Sequence, residues 1–228
     1  MIVPIANKVG IVSTRIDTCR SSLFCSKNSS VSLHPTNVAD RVLMDIQNSG
    51  IIACLRAKSA ELAVEAARAA LRGGISVLEI TMSTPGVFEA LQCLVQEYPS
   101  ASIGVGTVLD RRVAKEAVHI GAKFLMSPAM VKGILSDVAE GQALYIPGAA
   151  TPTEVLSAST DGAKLIKLTD TDSVGAYICE GASAVVLSDA IFDKKAMAER
   201  NFLRIHHLAC SAATKGNQAV RKIKCMDE

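Results

Sequence analysis

Two residues in this 228-residue chain have types and positions that could do covalent chemistry. One is Lys167 in "AKLIKL" (163–168) and the other is Glu79 in "SVLEITM" (76–82). Both stand in short apolar runs that read as buried strands. A charge in such a place is costly unless it is paired. Side chains alternate along a strand. Val77, Glu79 and Thr81 therefore share one face, and Leu78 and Ile80 the other. In the same way Leu165 and Lys167 share a face opposite Ile166. If Leu78, Ile80 and Ile166 pack beneath helices, Glu79 and Lys167 point into one interior. Two readings then stand open. One is a buried structural ion pair. The other is a Schiff-base site, in which a desolvated lysine becomes a free amine near neutral pH and attacks a ketone. A neighbouring carboxylate would then move the protons as a carbon–carbon bond breaks.

The elements that must hold these residues recur with a beat. Strand-like runs fall at 50–56, 76–82, 102–108, 123–128, 143–149, 163–168 and 183–189. Helical patterns separate them at about 59–74, 86–98, 110–121, 131–140, from Thr151–Pro152 onward, and at about 172–180; a helical tail starts near 194. Ser59 is placed to cap the first of these helices, Arg72 falls late in it, and Gly73–Gly74 stops it. Alternating βα units imply a parallel sheet with right-handed crossovers. Repetition without a second domain favours an α/β TIM (β/α) barrel over a doubly wound sheet. Seven strands are readable where such a barrel has eight.

Chemistry in such barrels gathers at the C-terminal strand ends. Those ends carry Arg56, Thr81 with Ser83 and Thr84, Thr107, Ser127–Pro128, Pro147–Gly148, Lys167 and Ser188–Asp189. "GVGTV" (104–108) is not G-x-G-x-x-G and does not read as a dinucleotide turn.

Composition narrows the class. Apolar residues make up 49% and aromatics 4%, which suits strands covered on both faces. A formal charge of +2 gives no reason to expect nucleic acid or a membrane surface as partner. No apolar run reaches the roughly 18 residues of a membrane span. The seven cysteines are scattered and never spaced C-x-x-C, which argues against a disulfide framework and a structural zinc site. Residues 1–39 hold seven Ser, three Thr, four Lys or Arg and one acid. Residues 1–40 are therefore expected to form a disordered leader, with 41–228 as the barrel and its helical tail. A Ser-rich, basic, acid-poor leader is the composition of an organelle transit peptide, plastid or other. Without such targeting the expectation is cytoplasmic.

"GIIACLR", "GGISVLEITMSTP", "GVGTVLD", "AKFLMSP", "YIPGAATPTE", "GAKLIK" and "GASAVVLSDAIF" occur in that order over about residues 42–200. Together they resemble the KHG/KDPG aldolase family, and its plant-type members in particular. The resemblance implies a class I aldolase on a TIM barrel, usually a homotrimer, needing no metal or other cofactor. It implies cleavage of small 2-keto-4-hydroxy acids to pyruvate and an aldehyde. Lys167 matches the Schiff-base lysine of the family's K-x-x-K strand, with Lys164 facing the other way. Glu79 matches the acid/base glutamate. Thr107 and Pro128 match positions lining the pyruvate pocket, and Ser188 a position at the distal end of the substrate. Where bacterial members carry an arginine for the substrate carboxylate, this chain has Ser83, and Arg56 is the candidate replacement.

Beyond Lys167 the pattern departs. "TDTDSVGAYICEGA" (169–182) resembles the helix that follows the family's seventh strand, so roughly one βα unit, including the phosphate-binding turn, is expected to be missing. Two strand edges would then be left unpaired, or strands six and eight would pair directly and change the shear. The alternatives to a working aldolase are an inactive truncated isoform, a pyruvate-binding module without turnover, or another barrel enzyme such as a sugar-phosphate isomerase.

Overall fold

The structure, a computed structural model, describes residues 9–13, 37–138, 141–168 and 184–226. It opens with strand β1 (Val9–Ser13) and helix α1 (Val38–Ser49). There follow β2 (Ile51–Leu55), α2 (Ala60–Arg72), β3 (Val77–Thr81), α3 (Val87–Glu97), β4 (Ser102–Gly106) and α4 (Arg111–Ile120). Then come β5 (Phe124–Met126), α5 (Lys132–Asp137), β6 (Leu144–Ile146), β7 (Gly148–Ala149), α6 (Pro152–Thr160) and β8 (Ile166–Leu168). The described chain ends with β9 (Ala184–Leu187), α7 (Lys194–Ala198) and α8 (Phe202–Met226). All seven strand-like runs are strands, the run 143–149 being split into β6 and β7 by Pro147. The helix expected over 172–180 lies outside the described residues.

Local chemistry starts the helices where the sequence places them. Ser59 Oγ accepts from the Leu62 amide at the start of α2, and Asp110 caps α4 through the Arg112 and Val113 amides. Thr151 and Glu154 form a reciprocal capping box on α6, with Pro152 in its first turn. Gly50, at φ 66°, ends α1 and turns the chain directly into β2.

The ladder order is β6-β5-β4-β3-β2-β9-β1-β8-β7. Its two ends are the halves of one run separated by Pro147 alone, and the Lys167 amide donates to the Pro147 carbonyl at 2.8 Å. The sheet therefore returns on itself as a barrel. Around it the strands are parallel apart from β1, which pairs antiparallel with both β8 and β9. The sequence led to open edges or to direct pairing of strands six and eight, and neither occurs. β1 lies between β8 and β9, with Val12 opposite Lys167 on one side and Ala184 on the other. The physical reason is that open strand edges present unpaired amides and carbonyls, and a short β-branched run such as "VGIVS" satisfies both edges.

Alternation sorts the core into two layers. Leu78, Ile80, Ile103, Val105 and Leu125 face outward against the alanine face of α2 and its neighbours. Ile52, Val77, Phe124, Met126, Leu144, Ile146, Leu165 and Val186 fill the interior. Ala39, Val42 and Ile46 of α1 join this inner cluster and plug the N-terminal end of the barrel. The opposite end, where the parallel strands finish, is the mouth. No described helix is long and apolar enough to cross a membrane.

Candidate active site

β3 delivers Glu79 to the interior. Its parity partner Val77 belongs to the inner cluster, while Leu78 and Ile80 lie in the outer layer. Glu79 is 1% exposed. It stands in register with Cys54 of β2 on one side and Gly104 of β4 on the other. Its side chain leans toward the mouth, because the carboxylate occupies the space a Cβ on Gly106 would need. Gly106 is one inward step beyond Gly104, level with Thr81. Glu79 Oε2 is buried without a hydrogen-bond partner among the described residues. A buried orphan carboxylate oxygen is expensive, so it marks a place where a proton, water or ligand would be held.

β8 brings in Lys167, half-buried and sharing its face with Leu165 of the inner cluster. Among the described residues no ion pair joins Lys167 to Glu79. The parity of Val77 and Leu165 turns both groups toward the inner cluster, and Cys54 feels the charge of each. Burial pushes the Cys54 thiol up, the Glu79 carboxylate pushes it further, and Lys167 and, more weakly, Arg56 pull it down. The Cys54 thiol thus feels the charge of both members of the candidate pair. Lys164 is elsewhere: its Nζ pairs with Asp40 Oδ1 at 2.7 Å near the plugged end.

The remaining candidates lie at the mouth. Arg56 is exposed just past β2, on the inward parity of Ile52 and Cys54. Thr107 is exposed just past β4 with φ 63°, a left-handed conformation that costs a β-branched residue strain. Pro128 is exposed past β5, and its carbonyl lies so close to Gly148 that a Cβ there would collide. Ser188 is half-buried past β9, and its carbonyl accepts from the Ile191 and Phe192 amides at 3.0 and 2.8 Å. Side-chain bonds lace the rim. Thr84 Oγ1 accepts from the Ala57 amide at 3.2 Å, Thr81 and Ser83 hydroxyls meet at 3.0 Å, and the buried Ser127 hydroxyl donates to the Val108 carbonyl. Interior and rim are thus distinct: Glu79, Lys167 and Cys54 share the barrel, while Arg56, Thr107, Pro128 and Ser188 ring its opening.

Cys54 is the residue that sequence reasoning passed over. The alternation of "IIACLR" already turns it inward beside Glu79, but a lone thiol in an apolar strand reads as packing. An open cleft of about 460 Å³ lies outside the barrel around Leu109, Asp110, Arg111, Arg112, Lys115 and Val131. Its charges are largely spent on one another, since Arg111 grips Asp137 at 2.7 and 2.9 Å, and it contains none of the interior groups.

The chain matches the family model of KDPG and KHG aldolase over residues 42–211. It is 32% identical to the KHG/KDPG aldolase of Escherichia coli K12 over 125 residues, 55% of this chain and 59% of that protein. It is 34% identical to the 2-dehydro-3-deoxy-phosphogluconate aldolase of Dickeya dadantii over 115 residues, 50% of this chain and 54% of that one. These matches thus span little more than half the length of either relative. In fold it is similar to the KDPG aldolase of Legionella pneumophila, crystallised with pyruvate captured as a covalent carbinolamine intermediate. That likeness has a TM-score of 0.66 at 24% identity and covers 75% of this chain and 97% of that one.

Proposed function

Because the chain belongs to the KDPG and KHG aldolase family, we propose that it works as a class I aldolase, cleaving small 2-keto-4-hydroxy acids to pyruvate and an aldehyde through an imine on Lys167. The observation that supports this most is the Glu79 oxygen left without a partner among the described residues, in the interior that Lys167 also enters.

The steps follow from these groups. The Lys167 amine adds to the keto carbon, giving a carbinolamine. Loss of water, with the proton carried by Glu79, leaves an iminium. Glu79 then takes the proton of the 4-hydroxyl. The bond between carbons 3 and 4 breaks, the aldehyde departs, and the bonding electron pair moves into the iminium to give an enamine. Protonation of carbon 3 and hydrolysis return the amine and pyruvate. The iminium is itself the electron sink, so the step calls on no further group. Arg56 is the proposed partner of the substrate carboxylate, Thr107 and Pro128 line the pyruvate half, and Ser188 meets the distal half.

The region between β8 and β9 is where we infer that the chain lacks one βα unit of its relatives, with β1 taking the vacant position. This supports a second reading. An antiparallel strand brings no βα loop to the mouth, so the chain could capture pyruvate as an imine yet turn over aldol substrates poorly. We further propose a homotrimer, checked by sedimentation equilibrium, and an N-terminal leader directing the chain to a plastid or other organelle, checked by locating a fluorescent fusion.

One experiment tests the central claim. The purified chain is incubated with pyruvate and borohydride, and the adduct is mapped by mass spectrometry. Reduction onto Lys167, absent from Lys167→Ala, supports the aldolase reading. A folded protein that forms no adduct overturns it. Aldol cleavage assayed in parallel separates turnover from capture alone.

A further inference from the structure

Glu79 is bounded on two sides by residues whose types matter. On the β4 side, the absence of a side chain at Gly106 makes the room its carboxylate fills. On the β2 side stands its register partner Cys54, which packs against the inner cluster. Gly106 borders the carboxylate end, Cys54 feels the Glu79 charge, and Oε2 is left without a partner among the described residues.

We propose that Cys54 is a positioning residue for Glu79: its thiol and the bare backbone of Gly106 hold the carboxylate between them, tilted toward the mouth with Oε2 facing the reacting proton. The inference rests on the aldolase reading and adds a residue to it.

The chemistry of the thiol fits that role and excludes the obvious rival. A cysteine beside a reactive lysine invites a reading as nucleophile or redox sensor, both of which need the thiolate. Burial and the Glu79 charge push this thiol up, and the opposing pull of Lys167 from β8 and Arg56 past β2 ranks below burial. The group therefore stays S–H at neutral pH. A permanent S–H facing a carboxylate is a weak donor. Such a donor can orient Glu79 without gripping it as a lysine or arginine would.

A reaction of pyruvate alone isolates this step. The aldolase reading predicts that the methyl protons of pyruvate exchange in D2O, because imine and enamine interconvert as Glu79 moves a proton. NMR follows that exchange, and borohydride trapping follows imine formation separately. In full-length Cys54→Ala, trapping at Lys167 should persist. Exchange should fall about tenfold, a part of what general acid–base catalysis supplies. Cys54→Ser, which keeps a donor, should recover most of the exchange, whereas Cys54→Val, which keeps the volume, should not. Exchange in Cys54→Ala at the wild-type rate overturns the proposal. So does an equal loss of trapping and exchange in the Ala, Ser and Val variants, which would make Cys54 a packing residue only. If the wild-type chain traps no pyruvate, the aldolase reading itself falls, and that outcome is distinct from both.

Discussion

The Glu79 carboxylate stands where a Cβ of Gly106 would be. Two strands have in effect exchanged volume: β4 gives up a side chain so that β3 can keep a charged one inside the barrel. Gly106→Ala should therefore act twice. Overpacking should lower stability by about 1–3 kcal/mol, read as a shift of the denaturant midpoint. The displaced carboxylate should also slow pyruvate proton exchange by about tenfold or more while leaving imine trapping in place. A Gly106→Ala protein with unchanged stability and exchange would show that the two residues are not in conflict.

Lys167 and Glu79 should fail differently. Lys167→Arg keeps the positive charge but not an amine that can lose its proton, so borohydride trapping should disappear completely. Glu79→Gln is nearly isosteric and cannot accept a proton. Exchange should fall by on the order of 10²-fold, while slow trapping at Lys167 remains. Mass spectrometry and NMR read the two losses separately. If Glu79→Gln exchanges normally, another base carries the proton.

The facing of these two residues was legible because it needed only the period of a strand and the aliphatic neighbours Leu78, Ile80 and Ile166. The seven parallel strands were legible for the same reason, each being a short apolar run between capped helices. Cys54 was not, because nothing local distinguishes a thiol that packs from one that faces a carboxylate; the register of β2 against β3 decides it. β1 was hidden more deeply. Composition assigns residues 1–40 to a leader, and five residues carry too little pattern to say otherwise. Their strand character is set by the edges of β8 and β9, more than 150 positions away in the chain. The left-handed Thr107 was likewise invisible, since a β-branched residue gives no signal for positive φ.

Acid should expose the α4–α5 clamp. Hydrogen bonds from Arg111 hold the Asp137 carboxyl down at about 2, and Lys115 adds a further attraction. A depressed carboxyl pKa stabilises the fold above the unfolded value and loses that contribution as pH falls through the folded one. Arg111→Ala should therefore melt below the wild type at pH 6, and the gap should narrow between about pH 4 and pH 2. Thermal melts across that range check it. A gap that stays constant down to pH 2 would assign the Arg111 effect to packing and not to its charge.

The last prediction concerns β1. Val12 lies opposite Lys167 in the ladder, and Val9 lies opposite Leu187 near the mouth. If this strand completes the barrel, removing residues 1–8 should cost little, because the ladder from Val9 to Ser13 is kept. Removing residues 1–13 should cost much more, because β8 and β9 then present unpaired backbone groups and the inner cluster loses its wall. The shorter chain should melt at least about 5 °C lower, since a domain of this size shifts roughly 2–4 °C per kcal/mol lost. It should also bind a hydrophobic dye and lose imine trapping, because Lys167 has lost the strand beside it. The comparison bears on the leader as well: processing before Val9 leaves the barrel closed, whereas processing beyond Ser13 opens it. Equal melting of the two truncated chains would remove β1 from the barrel and return Val9–Ser13 to the leader.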